Sequence, residues 1–291
     1  MTSSLFTPLN HLGILQVSGE DAADFLQNLL TNDVAALAVN QAQLTGFCNA
    51  KGRLFATFYL VRREQAYQLI LPTVMIVLLK QRLTMYILRS KVTINDESES
   101  TACLGLMPNH TDLNTEFEQG LVIKLLGNTP RYLHIHSADK TKEICAHLSQ
   151  QAWQLSNNAL WQQADIEAGI ATIMPDTKEI FTPQQINFDL IKGVSFSKGC
   201  YPGQEIVARL HYLGTPSRRL FTTKVQTDKT IIVGSPIVNT DNITVGHCVN
   251  ANTIDNNVSL LLSLKLSGVE QDLFLNTGET IIDLQQLHAK D

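Results

Sequence analysis

The residues of this chain best placed to do chemistry lie in one short run, Lys198-Gly199-Cys200-Tyr201-Pro202-Gly203-Gln204-Glu205. A cysteine acts as nucleophile or metal ligand through its thiolate, so its neighbours decide its chemistry. Lys198 puts a positive charge two residues away. The residues from Gln204 to Leu210 read as a helix, which sets Cys200 just ahead of a helix N-terminus. Both features favour the thiolate. Gly199 and Gly203 permit backbone angles that other residues resist, and Pro202 marks a turn. Glu205 and Arg209 have the i,i+4 spacing of an ion pair. This is the pattern of a nucleophile, a metal ligand or a redox-sensitive thiol. A second reading stays open, in which Cys200 is a small buried hydrophobe on a glycine turn.

The other four cysteines, Cys48, Cys103, Cys145 and Cys248, sit in strand- or helix-like surroundings and read as structural. An odd total of five, with no CxxC, argues against a disulfide framework and favours a reducing, cytoplasmic setting. His134 and His136 share one face of an expected strand, but two ligands without a third make no confident metal site. Neither GxGxxG after a strand nor GxxxxGK[ST] is present, so no nucleotide cofactor is expected. The formal charge of −5, with Arg62-Arg63 and Arg218-Arg219 as the adjacent arginines, argues against strong direct nucleic-acid binding. The most apolar run, Val74 to Leu79, is far shorter than a membrane span. The first residues lack the pattern of a secretory signal.

Several elements must position these groups. Leu12–Val17 reads as a strand, followed by a helix capped by Ser18 with apolar Ala22, Phe25, Leu26, Leu29 and Leu30 on one face. Strands are expected at Leu44–Asn49, Leu54–Arg62, Tyr67–Leu71, Val92–Ile94, Thr101–Met107, Leu121–Leu125 and Tyr132–His136. The tight turn Ala50-Lys51-Gly52-Arg53 joins the first two. Helices are expected at Thr73–Leu88, Lys140–Gln151 and Asn157–Ala168. After Gly214-Thr215-Pro216 the texture changes to short apolar strands: Leu220–Val225, Ile231–Val233, Pro236–Val238, Val245–Val249, Val258–Leu266, Leu273–Leu275 and Ile281–Leu284. The mixture lacks a βαβ rhythm and predicts an α+β fold with antiparallel sheets. It divides into residues 1–213, with two interleaved α+β subdomains, and a barrel-like all-β domain at 214–291.

The run from Lys198 to Glu205 resembles the K-G-C-Y/F-x-G-Q-E signature of the YgfZ family, folate-binding proteins similar to the glycine-cleavage T-protein. Gly19-Glu20-Asp21-Ala22 through Val34 is similar to the family's opening helix, and Asn49-Ala50-Lys51-Gly52-Arg53 to its Lys-Gly turn. Asp165-Ile166-Glu167-Ala168-Gly169 resembles its Ile-Glu-Ala-Gly segment, and Asn187 before Gly193-Val194-Ser195-Phe196 also fits.

The resemblance implies a T-protein-like fold and a tetrahydrofolate cofactor. It implies Glu167 as the carboxylate that accepts hydrogen bonds from the pterin, and Trp161, Leu12 and Asn187 as further contacts. Taken as solitary residues, Trp161 reads as a core aromatic and Glu167 as an exposed helix-end residue. T-proteins carry an acidic pair where this chain has Phe55-Ala56-Thr57, which cannot transfer protons. The family role implies iron–sulfur or tRNA-modifying client proteins as partners, Cys200 as reactive thiol, Lys198 as its activator, and Gly199, Tyr201, Gly203, Gln204, Glu205 and Arg209 as loop support. Two other functions compete: a folate-dependent one-carbon transferase or demethylase, and a protein-interaction module with a vestigial pocket.

Overall fold

The computed structural model describes residues 3–109, 113, 117, 119–127, 129–281 and 283–288. In chain order the strands and helices are β1 (Leu5–Pro8), β2 (Leu12–Ser18), α1 (Ala22–Gln27), β3 (Ala42–Cys48), β4 (Leu54–Arg62), β5 (Ala66–Pro72), α2 (Thr73–Thr84), β6 (Thr93–Asp96), β7 (Thr101–Met107), β8 (Leu121–Lys124), β9 (Tyr132–Ser137), α3 (Thr141–Gln150), β10 (Gln154–Leu155) and α4 (Asn158–Glu167). There follow α5 (Gln204–Tyr212), β11 (Arg218–Gln226), β12 (Pro236–Asn239), β13 (Thr244–Ile254), β14 (Asn257–Lys265), β15 (Leu273–Phe274), β16 (Thr280–Ile281) and β17 (Gln285–Gln286).

The chain forms two interleaved units. The first is built from described residues of Met1–Phe25, Ala35–Gln43 and Phe58–Ala164, the second from Leu26–Val34, Leu44–Thr57 and Asp165–Asp291.

In the first unit, one sheet runs β10-β1-β7-β9-β8. It is antiparallel except for β1 beside β10. Strands β2, β5 and β6 and the second half of β4 belong to another sheet, of order β3-β4-β5-β2-β6. Ile14, Val61 and Ile70 of that sheet share a core with Cys103, Ile123, Leu133 and Ile135 of the first, and Trp161 joins it. On the first sheet's other side, Phe6, Leu104, Leu106 and Tyr132 pack with Leu148 of α3. Helix α2 buries Met75, Leu79 and Leu83, at the i, i+4, i+8 spacing of one helix face, with Ile76 beside them.

In the second unit, the sheet β16-β15-β12-β13-β14-β11-β17 curls into a half-barrel. β11 and β14 pair along their whole length, from Arg218↔Lys265 to Gln226↔Asn257. A bulge between Cys248 and Asn250 kinks β13, as bulges do where a sheet bends. Inward-facing Ile237, Val245, Val258, Leu260, Leu262 and Leu264 form its core.

Three local expectations are corrected. Ser18 is the last residue of β2, paired with Ala66 and Thr93, and does not cap a helix. Gly19, at φ +117°, turns the chain, and the helix begins only at Ala22. The helix stops at Gln27, because Leu30 leaves it to bridge Phe47. Ile231–Val233 is not a strand: Gly234, at φ +87°, bonds to Cys248 and turns this stretch out of the ladder.

Candidate functional site

Cys200 is exposed, whereas Cys48, Cys103 and Cys248 are buried and Cys145 is half-buried. Burial raises the thiol pKa of those four and keeps them protonated. A buried-hydrophobe reading of Cys200 therefore does not fit its place in the fold.

The segment before Cys200 is stitched to residues 27–32, all within the second unit. Asn32 Nδ2 donates to the Lys192 carbonyl at 2.7 Å, Thr31 Oγ1 to Gly193 at 2.7 Å, and the Ser195 amide to Thr31 at 2.9 Å. Lys198 completes the seam. Its ammonium donates to the carbonyls of Gln27, Leu30 (2.6 Å) and Asn32 (3.2 Å). Three N–H donors thus meet three carbonyls, which is how a buried cation is satisfied without a carboxylate. Burial pulls the Lys198 pKa down to about 8, with the charge of Asp33 opposing the shift. Those carbonyls occupy its donors and make Lys198 an anchor of the loop.

On the other side of the cysteine, Tyr201 is buried, with its ring 5.4 Å from the Lys198 ammonium. Burial, and Cys48 nearby, raise the phenol's pKa. Gly203 sits at φ +78° against the Asn49–Gly52 turn, where any Cβ would strike the Asn49 carbonyl and Gly52 backbone. Gly199 has neither constraint, because no atom lies within 4 Å of its would-be Cβ. Of the two glycines, Gly203 is required by backbone geometry. Gln204 Nε2 reaches the carbonyls of Lys198 (3.5 Å) and Gly199 (3.4 Å) across the loop. Gln184 Nε2 fixes α5 from behind by donating to Val207 at 2.7 Å. Among the described residues no ion pair joins Glu205 to Arg209; both are exposed. The result is a loop pinned at both ends that carries its sulfur outward.

The candidate folate contacts lie in different surroundings. Glu167, the last residue of α4, keeps an exposed carboxylate 3.7 Å from the Lys224 ammonium of β11. It is accessible to a ligand's N–H groups. Trp161 is only 2% exposed; Gly105 lies so close that a Cβ there would come within 2.5 Å of the indole. The Arg131 guanidinium stacks 5.1 Å from the ring. Leu12 packs against the same core. Asn187, at φ 55°, is fully buried, and its amide donates to Leu287 (2.7 Å) and accepts from the Leu220 amide (3.1 Å). Glu167 presents an exposed carboxylate, whereas the side chains of Trp161 and Asn187 are buried.

The comparisons with known proteins agree with this architecture. Residues 3–115 match the GCVT N-terminal domain. A tRNA-modifying protein YgfZ of Edwardsiella ictaluri is 36% identical over 222 residues, covering 71% of this chain and 67% of that protein. The chain belongs to the YgfZ family of tRNA-modifying proteins. A YgfZ of Colwellia psychrerythraea is 30% identical over 236 residues, covering 76% of this chain and 72% of its own length. An uncharacterized protein of Haemophilus influenzae is 33% identical over 244 residues, covering 80% and 78%. Among solved structures, the glycine cleavage system aminomethyltransferase T of Bartonella henselae matches with a TM-score of 0.73 and 16% identity over 99% of this chain and 86% of that one. That likeness gives this YgfZ-family chain a T-protein fold.

In the run Phe55-Ala56-Thr57, Thr57 is buried, donating its hydroxyl to Ala171 (3.1 Å) and accepting from the Ile173 amide (3.1 Å). The side chain at that place is a structural bridge. Among the described residues, no group of three or more His, Cys, Asp or Glu is arranged to hold a metal. No described helix is long and apolar enough to cross a membrane. Sequence reasoning missed one cluster, in which Phe196 stacks on His211 and Tyr212 stands edge-on to both. The intervening loop hid it, and no motif spacing joins these residues.

Proposed function

We propose that this chain is a tetrahydrofolate-binding accessory protein for iron–sulfur enzymes, acting in tRNA modification through tRNA-modifying clients in the cytoplasm, with Cys200 as its reactive group. The observation that carries this reading is an exposed thiol held outward by a loop pinned at both ends. Rigid presentation of one accessible sulfur serves encounter with another protein's cluster or thiol; packing has no use for it. Lys198, Tyr201, Gly203 and Gln204 act as positioning residues, and Glu205 and Arg209 offer their exposed charges to the client. Glu167 anchors the pterin by accepting its N–H hydrogen bonds, and folate acts as bound cofactor or regulator. Aminomethyl transfer is disfavoured because Thr57 is committed to backbone bonds.

Two measurements test the reading. Alkylation under native conditions should label Cys200 first, and Cys200→Ser should abolish support of a client enzyme while leaving the fold intact. Titration of tetrahydrofolate against tryptophan fluorescence should saturate in the wild type and weaken in Glu167→Ala. Robust aminomethyl transfer, or full client support by Cys200→Ser, would overturn it.

A further inference from the structure

Arg218, His247 and Lys265 gather on one face of the half-barrel sheet, all within the second unit. Arg218 of β11 stands directly opposite Lys265 of β14. His247 of β13 stands opposite Ser263, which lies two residues before Lys265 and so shares its face. Neighbouring strands are about 4.8 Å apart, a gap these side chains span. The charge of Arg218 reaches His247: burial, and then that charge, lower the imidazole's pKa. The Phe181 ring stands edge-on to His247 at 6.3 Å and flanks the trio. Each of the three basic side chains is half-buried, so a small solute can reach them.

Among the described residues no carboxylate pairs with Arg218, His247 or Lys265. Like charges directly opposite each other in an antiparallel pair destabilise it. Arg218 Nε is buried and meets no hydrogen-bond partner, and a buried donor without an acceptor costs stability. The adjacent Arg219 shows the contrast, holding Asp189 at 2.7 Å and the Gln184 carbonyl at 3.1 Å. The trio therefore costs the fold stability until an anion joins it.

The anion that fits is compact and carries more than one charge. A carboxylate brings one charge, whereas a phosphate monoester near pH 7 brings close to two, with three acceptor oxygens. Those oxygens suit a guanidinium fork, an ammonium and an imidazole N–H together. An extended polyanion such as RNA calls for cations strung along a groove. Here they converge from three adjacent strands, at the first residue of β11 and the last of β14.

We propose that Arg218, Lys265 and His247 form a binding site for a phosphate group, either free or carried as a monoester on a small molecule. This site goes beyond the folate and thiol reading and does not depend on it.

The test is calorimetric titration of the full chain with sodium phosphate near pH 7, at an ionic strength held constant with sodium chloride. The wild type should bind saturably, and the His247 ring resonances should move with the same midpoint. Arg218→Met should weaken binding by about tenfold or more, the scale of a charge-assisted hydrogen bond. Lys265→Thr, which suits a strand, should weaken it as well. Without phosphate, the same Lys265→Thr variant should melt no lower than the wild type, because it relieves the repulsion across β11 and β14. Lys229→Ala, beyond the far end of β11, controls for general charge and should bind phosphate as the wild type does. Competition by glycerol phosphate assigns the site to monoesters, and its failure assigns it to the free ion. No saturable binding, equal affinity of the wild type, Arg218→Met and Lys265→Thr, or acetate bound as tightly as phosphate would each overturn the proposal.

Discussion

The Lys198 ammonium lies 2.6 Å from the Leu30 carbonyl, and the same group reaches Gln27 and Asn32. Lys198, two residues from the exposed Cys200, is therefore the peg that fastens the loop to the segment following α1. Lys198→Met should leave three carbonyls without their donor, at a cost of about 2 kcal/mol or more. Thermal melting reads the loss. Proteolysis within residues 195–203 should accelerate in the same variant. An unchanged melting temperature would show that the peg bears no weight.

Gly203 and Gly199 should respond oppositely to alanine. Gly203→Ala forces a left-handed residue and drives a Cβ into the Asn49–Gly52 turn, so a loss of about 1–3 kcal/mol from backbone strain is a floor. Gly199→Ala meets open space and should change stability by less than about 0.5 kcal/mol. Denaturant unfolding of the two variants decides this. The motif's two glycines look alike in sequence, and only one is conformationally necessary.

Much of this was legible beforehand, for physical reasons. The strand Leu54–Arg62 and the α5 start at Gln204 follow from apolar run length and from a glycine turn, both local signals. The C-terminal sheet announced itself by strands spaced between turn residues. What failed was decided elsewhere in the chain. Ser18 has the composition of a cap, but pairing with Ala66 and Thr93 holds it in β2. The exposure of Cys200 and the burial of Asn187 depend on residues far away in sequence, Leu30 for one and Leu287 for the other. The Phe196–His211 stack spans a loop whose path no periodicity encodes.

Asp189 and Arg219 form a nearly buried ion pair in the second unit, 2.7 Å apart, with Arg219 also donating to the Gln184 carbonyl at 3.1 Å. Breaking such a pair by removing one member strands a charge in a low dielectric. Asp189→Ala should cost about 3–5 kcal/mol. Replacing both partners with apolar residues should recover much of that loss, and a double-mutant cycle followed by chemical denaturation measures the coupling.

His134 gives the first unit a dependence on acid. It is fully buried on β9, its Nε2 bonds the Gln119 carbonyl at 2.8 Å, and His136 lies 4.8 Å away ring to ring. Burial lowers its pKa from 6.5 to about 4, the Gln119 carbonyl partly opposing the shift and His136 adding to it. The His136 pKa is lowered in the same direction by burial. Between the two values of His134 the unfolded chain binds a proton that the folded chain refuses, so stability falls as pH drops from about 6.5 toward 4 and levels off below. One such residue accounts for roughly 3 kcal/mol across that window. Melting temperatures measured from pH 7 to pH 4 should therefore decline. His134→Phe, which cannot take up the proton and matches the neighbouring Phe117 in character, should flatten the decline, whereas a slope unchanged by the substitution would place the acid sensitivity elsewhere.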